Sequence, residues 1–194
     1  MSQLNRIVVV GSSGSGKTTV ARGMADLLDL PHLEMDSVFH RDGLANEPHD
    51  EFLPIVDRFS EQERWVIDGN YTSAGVADVV WPKADTFVWL DPPRRVATTR
   101  VIRRTLRRTI LREELWPGVH EPFSNLYSLD PFQNIIVWTW TRHARVREKY
   151  ERAMADGTWS HAAVHRLGSQ REVAEFLEFV ASTRRRSGYS DPLH

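Results

Sequence analysis

Ile7-Val8-Val9-Val10-Gly11-Ser12-Ser13-Gly14-Ser15-Gly16-Lys17-Thr18 is the stretch that decides the fold. Four consecutive β-branched residues read as a strand buried on both faces. The eight that follow match G-x-x-x-x-G-K-[ST], a loop whose glycines let backbone N–H groups turn inward on a phosphate. From Lys17 the period changes. Val20, Met24, Leu27 and Leu28 fall on one face of a helix, and its N-terminus adds the positive end of a dipole. Strand, glycine loop and helix together predict a nucleoside triphosphate site. Its expected nucleotide-binding residues are Gly11, Ser12, Ser13, Gly14, Ser15, Gly16, Lys17, Thr18 and Thr19. Lys17 would reach the β- and γ-phosphates, and the Thr18 hydroxyl would hold Mg²⁺. A dinucleotide site would want G-x-G-x-x-G, which the loop does not supply.

Outward from the loop, apolar runs alternate with helical patterns. Strands are expected at Ile7–Val10, Leu33–Met35, Trp65–Ile67, Thr86–Leu90 and Ala162–Leu167. Helices are expected at Thr18–Leu28, about Asp50–Glu63, about Thr72–Val80, Pro93–Arg112, about Pro131–Ala155 and Gln170–Thr183. This alternation predicts an α/β fold with a parallel sheet covered on both faces. Ligands in such sheets bind where the strands end. The residues just after the strands therefore matter most: the loop itself, Asp36, Asp68-Gly69-Asn70-Tyr71, Asp91 and Gly168-Ser169.

The length of 194 residues fits one domain, and 41% hydrophobic residues suffice for a core. With no cysteine, thiolate chemistry, disulfides and thiolate zinc sites are excluded. No apolar run approaches the ~18 residues of a membrane span, and no leader pattern precedes the first strand, so a cytoplasmic protein without membrane partners is expected. A formal net charge of −1 argues against nucleic acid as a partner by bulk charge. Residues 1–183 read as one domain, and 184–194 as a disordered basic tail.

Two acids compete for the metal side of the site. Asp91 precedes Pro92-Pro93 and a long helix, where Asp caps well and Pro suits the first turn. Asp68 is followed by Gly-Asn-Tyr, which offers no such employment. Asp68 is therefore preferred as the metal-side acid, with Thr18. Asp36, after the short second strand, is expected to position or deprotonate an acceptor, and a helix N-cap is its alternative employment. Arginines outnumber lysines 22 to 3, and eight of them lie between Arg94 and Arg112. On a helix Arg100, Arg104, Arg107 and Arg108 share a face that could cover a triphosphate.

The chain resembles adenylate kinase-related P-loop proteins of the topology modulation group. The resemblance runs from Ile7 to about Phe179. It is carried by the phosphate loop, Leu33-Glu34-Met35-Asp36-Ser37-Val38-Phe39, Trp65-Val66-Ile67-Asp68-Gly69-Asn70-Tyr71, Asp85 to Asp91 with Pro93, Arg100-Val101-Ile102 with Arg104, and Trp138 with Trp140. It implies a P-loop nucleoside triphosphate hydrolase fold: a five-stranded parallel sheet of order 2-3-1-4-5 flanked by helices, with a short Arg-rich lid at about 104–145. It also implies ATP and Mg²⁺. Arg100 and Arg104 match lid arginines, one near the base and one near the phosphates. Arg147 matches a basic residue after the tryptophan pair, and Gly168 and Ser169 match the loop passing the base. Catalytic roles then fall to Lys17, Asp36, Arg104 and Arg147. The acceptor side falls to Asp36, Phe39, Arg41, Gly69, Asn70 and Tyr71.

Adenylate kinases carry Asp-Gly-Phe-Pro-Arg where this chain has Asp68-Gly69-Asn70-Tyr71, so the arginine that grips an acceptor phosphate is absent from that position. The leading expectation is an ATP-dependent phosphotransferase acting on a small acceptor, of nucleoside monophosphate kinase type. A kinase for a small hydroxylated metabolite, of shikimate or gluconate type, stays open. So does a DNA-associated or regulatory nucleotide-binding protein without kinase activity.

Overall fold

The computed structural model describes residues 4–40, 50–71, 74–111, 114–116, 119–120, 128–131 and 133–186. Its centre is β1 (Arg6–Gly11), which is buried on both sides because side chains alternate along a strand. Val8 and Val10 join one apolar cluster, and Ile7 and Val9 the other. Parallel partners flank it: β3 (Trp65–Asp68) on one side and β4 (Thr86–Leu90) on the other. The short β2 (His32–Glu34) pairs with β3, and Ala163–Leu167 pairs with β4. With the intervening hairpin strands β5 (Glu114–Trp116) and β6 (Val119–His120) counted, that last strand is β7, and the sheet order is β2-β3-β1-β4-β7. Among the five parallel strands this is the expected 2-3-1-4-5.

Helices cover both faces. One carries α1 (Lys17–Leu28) and α7 (Gln170–Arg186), with Val20, Met24, Phe176 and Val180 packed on Ile7, Val9 and Val88. The other takes α3 (Phe52–Ser60), α4 (Val76–Val80) and α6 (Ile135–Ala155). There Phe52, Val80, Trp81, Tyr150 and Trp159 pack on Val8, Trp65 and Phe87. The 18-residue α5 (Arg94–Leu111) follows β4 and leads to the β5–β6 hairpin.

Several boundaries differ from the sequence reading for local reasons. Strand β2 stops at Glu34, and a short α2 (Met35–Phe39) begins at once, so Asp36 sits in a helical turn rather than at the strand end. Helix α4 starts only after Gly75, whose φ of 78° suits glycine, and Trp81–Lys83 continues as a 3₁₀ turn around Pro82. Helix α6 starts at Ile135 because the Asn134 side chain caps it, accepting from the N–H groups of Ile136 and Val137. The antiparallel hairpin before α6 was not anticipated. Helix α7 runs to Arg186, into the span read as a tail; residues beyond it lie outside the described residues.

Candidate functional site

The loop between β1 and α1 is packed from behind. At Gly14 the φ is 74°, and a Cβ would run into the carbonyl oxygen of Ala97 and into Val101 on α5. Only glycine lets the loop lie this close to that helix. Lys17 Nζ donates to the carbonyl oxygen of Ser12 at 3.2 Å. Burial holds its pKa below the usual lysine value, and Arg104 pushes the same way, while Asp36, Asp68 and Glu34 pull it back up. The hydroxyls of Ser12 and Ser15 are buried and find no hydrogen-bond partner among the described residues. Buried hydroxyls left unpaired are costly, and a phosphate oxygen in the loop would satisfy them.

Beside the loop a cleft of 740 Å³ opens between α5, α7 and the ends of β4 and β7. Leu90, Val96, Val173 and Leu177 give it apolar walls, and Thr19, Arg100, Gly168 and Ser169 also line it. Arg100 donates to the carbonyl oxygen of Ser15 at 3.1 Å and to Gln170 Oε1 at 2.6 Å, bridging the loop and α7. Apolar walls with a few polar groups suit an aromatic base. The sequence-predicted nucleotide residues therefore converge, with Arg100 among them.

On the other side of Lys17 the side chains are acidic. Thr18 Oγ1 donates to Asp68 Oδ2 at 2.8 Å. Asp68 is 2% exposed, and its Oδ1 lies 2.8 Å from His32 Nε2. Glu34 Oε1 is 3.5 Å from the Thr18 hydroxyl, and its other oxygen accepts from Arg22 at 2.7 Å. Asp36 Oδ1 accepts from the Tyr71 hydroxyl at 2.7 Å. The Tyr71 ring stacks on Phe39 with centroids 4.5 Å apart and meets the edge of Phe52. Burial and the Asp36 charge push the Tyr71 phenol well above its ordinary value, so it stays a donor. Because its one proton goes to Asp68, Thr18 keeps its oxygen lone pairs for a cation. This donor set fits Mg²⁺ held by Thr18 and, through water, Asp68. Among the described residues no cluster of three or more His, Asp and Glu could hold a metal ion by itself.

Of the expected acceptor-side residues, Asn70, Gly69 and Phe39 also have structural employment within the protein. Asn70 Oδ1 accepts from the Gly11 N–H and from the Tyr150 hydroxyl, while its amide nitrogen donates back to the Gly11 carbonyl. It is a bridge between the phosphate loop and α6. Gly69 is glycine because a Cβ would strike Met35, and Phe39 is buried under Tyr71. Arg41 lies outside the described residues.

Of the expected lid cations, Arg104 acts on Lys17 through its charge. Arg147 lies 3.0 Å from Glu151 and 3.6 Å from Asp91. The cation of α6 that feels Lys17 is Lys149, whose pKa burial and the Lys17 charge lower to about 8. Its Nζ lies 4.4 Å from the Tyr150 ring centroid. Sequence reading passed over Lys149, although it is one of three lysines in an arginine-rich chain. His32 and Glu34 were missed too; their positions on β2 beside the Asp68 strand were the available signal. Asp91 does not need the capping role assigned to it. It pairs with Arg166 at 2.5 Å and with Arg147.

No protein-family model matches the chain, and no curated protein matches it. Solved structures do. The chain is similar to a shikimate kinase from Acinetobacter baumannii in complex with shikimate, at 16% identity over 97% of each chain, with a TM-score of 0.59. It is also similar to a shikimate kinase from Bacteroides thetaiotaomicron, at 14% identity over 93% of this chain and 98% of that one, with a TM-score of 0.51. At these identities the likeness is one of fold. The chain has the P-loop kinase fold, a five-stranded 2-3-1-4-5 parallel sheet flanked by helices, with its phosphate loop after the central strand.

Proposed function

We propose that the protein is an ATP-dependent phosphotransferase acting on a hydroxyl of a small acceptor. The carrying observation is that Lys17 lies in the fields of Asp36 and Asp68 together, with the Thr18 hydroxyl already donated to Asp68. A phosphate-binding cation, a cation-holding hydroxyl and a proton-accepting carboxylate then surround one loop. The acceptor oxygen attacks the γ-phosphorus, the bond to the β–γ bridging oxygen breaks, and ADP leaves. The acceptor proton passes to Asp36, whose carboxylate is oriented by Tyr71. Lys17, Arg104 and Lys149 offset charge on the transferring group. Bound Mg²⁺ would neutralise charge on the β- and γ-phosphate oxygens.

A small hydroxylated metabolite ranks ahead of a nucleoside monophosphate as acceptor. The Asp68-Gly69-Asn70-Tyr71 segment supports this, since Asn70 is spent on Gly11 and Tyr150 and the segment carries no phosphate-gripping arginine. Membership of the adenylate kinase-related group belongs to the same proposal. A DNA-binding role for α5 has less support, because Arg100 donates to the loop at the Ser15 carbonyl and the Arg104 charge acts on Lys17.

The test is ADP release with a panel of polyols, hydroxy acids and nucleoside monophosphates. One acceptor class is expected to stimulate release, and Lys17→Ala is expected to lower the rate by about 10²-fold or more without lowering the melting temperature. If no acceptor raises ADP release above the Lys17→Ala background, the kinase reading fails in favour of a nucleotide-gated binding protein.

A further inference from the structure

We propose that His32 is a positioning residue for the cation-side carboxylate, so that the edge strand of the sheet sets the affinity for the divalent cation. The inference rests on the reading of Thr18 and Asp68 given above.

The geometry comes from strand register. In the β2–β3 pair, His32 stands opposite Val66 and Glu34 opposite Asp68. Alternation then puts His32, Glu34, Val66 and Asp68 on one face of the sheet. Val66 packs in the cluster that α1 covers, so this is the face against which α1, with Thr18 in its first turn, lies. Asp68 is buried and receives one protein donor on each oxygen: Thr18 on Oδ2 and His32 on Oδ1, both at 2.8 Å. Facing a carboxylate, Nε2 is the protonated ring nitrogen.

A carboxylate held by one donor can turn about its Cβ–Cγ bond, which is a soft torsion. Held by two, it keeps one plane. That plane decides where the Thr18 proton points, and therefore where the Thr18 lone pairs point. If Asp68 turned, the Thr18 hydroxyl could swing and present its proton to a cation instead of its oxygen. His32 thus acts on Thr18 through Asp68. It does so as a hydrogen-bond donor without bringing a fixed guanidinium or ammonium charge beside the carboxylate. Glu34 offers Thr18 only a 3.5 Å alternative and is drawn away by Arg22. The proton-bearing nitrogen of His32 is thereby the second anchor of Asp68.

The experiment measures Mn²⁺, in place of Mg²⁺, by the loss of its free electron paramagnetic resonance signal. The full chain is saturated with the non-hydrolysable analogue adenylyl imidodiphosphate, so no acceptor or turnover is needed. His32→Ala is expected to weaken Mn²⁺ by about 10-fold, the range of groups that orient a metal-side ligand. In His32→Gln an amide N–H can reach the same oxygen, and affinity is expected to return to within about threefold of wild type. Metal-free analogue binding is expected to stay unchanged in both. Mn²⁺ affinity in His32→Ala equal to wild type overturns the proposal, as does a parallel loss of metal-free nucleotide affinity. Failure of a folded His32→Gln to recover also overturns it, because packing rather than the hydrogen bond would then be at work. Asp68→Asn separates the two levels. If it leaves Mn²⁺ binding intact, the Thr18–Asp68 reading itself falls; if it weakens binding while His32→Ala does not, only the present inference falls.

Discussion

Strands β3 and β4 lie on either side of β1, and each delivers an aspartate to the phosphate loop's neighbourhood, yet the two acids have opposite surroundings. Asp68 meets a hydroxyl and an imidazole. Asp91 meets two guanidinium groups, Arg166 and Arg147, with Glu151 completing the network. A carboxylate answered by fixed cations has spent its charge on the fold. A carboxylate answered by hydroxyl and imidazole donors keeps charge in hand for a ligand. Burial does not separate them, since both side chains are nearly covered.

The sharpest way to break this comparison is to neutralise each acid in turn. Asp68→Asn is expected to raise the Mg²⁺ concentration for half-maximal ADP release by about 10-fold or more, in line with losses at metal-side ligands. Asp91→Asn leaves Arg166 and Arg147 facing a neutral amide. Because those arginines are partly solvated, the expected cost is modest, about 1–2 kcal/mol. In a chain of this size that lowers the melting temperature by about 3–6 °C. Magnesium titrations and thermal melts on both variants check the pair. A larger metal defect in Asp91→Asn would reverse the assignment.

The preference for Asp68 was drawn from the sequence by a route the structure does not support. It rested on Asp91 being busy as a helix cap, whereas Asp91 is busy with arginines from α6 and β7. Those partners lie 56 and 75 positions along the chain and leave no local trace. The strands and the loop were legible because their signals are local: β-branched runs for the strands, glycine spacing for the loop. The Asn70 bridge to Gly11 and Tyr150 was not, because it joins three elements distant in sequence. An exposed-looking polar residue after a strand reads as ligand-facing until the tertiary partner is seen. Lys149 was hidden in a run of charged helix residues; only its being lysine rather than arginine set it apart.

Asp36 belongs with Asp68 in this comparison, since its partner is the Tyr71 hydroxyl. Tyr71→Phe keeps the ring between Phe39 and Phe52 and removes only the donor. The expected result is a fall in kcat of about 10-fold, with the KM for ATP unchanged, as for loss of a group acting on proton transfer. A melting temperature close to wild type would accompany it. A rise in the KM for ATP with kcat intact would instead tie Tyr71 to the nucleotide and separate Asp36 from Asp68.

Helix α6 serves both regions, which makes it the finest probe of the difference. Arg147 and Lys149 are two residues apart and so point about 200° apart around the helix. The first goes to Asp91, while the second feels the charge of Lys17. With its pKa lowered to about 8, Lys149 is charged in the folded state only below that pH, whereas the unfolded chain keeps the proton to near the ordinary value of 10.5. Below pH 8 both states hold the proton, and the folded state bears the cost of a half-buried charge repelled by Lys17. Between about 8 and 10.5 the unfolded state binds more protons, so stability rises with pH. Lys149→Met removes that cost. Its melting temperature is expected to exceed wild type at pH 7, with the gap closing as pH climbs from 8 to 10. Activity should move the other way. Wild-type kcat/KM for ATP is expected to fall as Lys149 loses its charge above about 8, while the Met variant starts about threefold lower at pH 7 and lacks this step, a loss of the size of one partly solvated charge contact. Parallel melting and activity profiles from pH 6.5 to 10 check both halves. If the variant tracks wild type at every pH, Lys149 is a solvated helix charge, and the phosphate side of the site ends at Lys17 and Arg104.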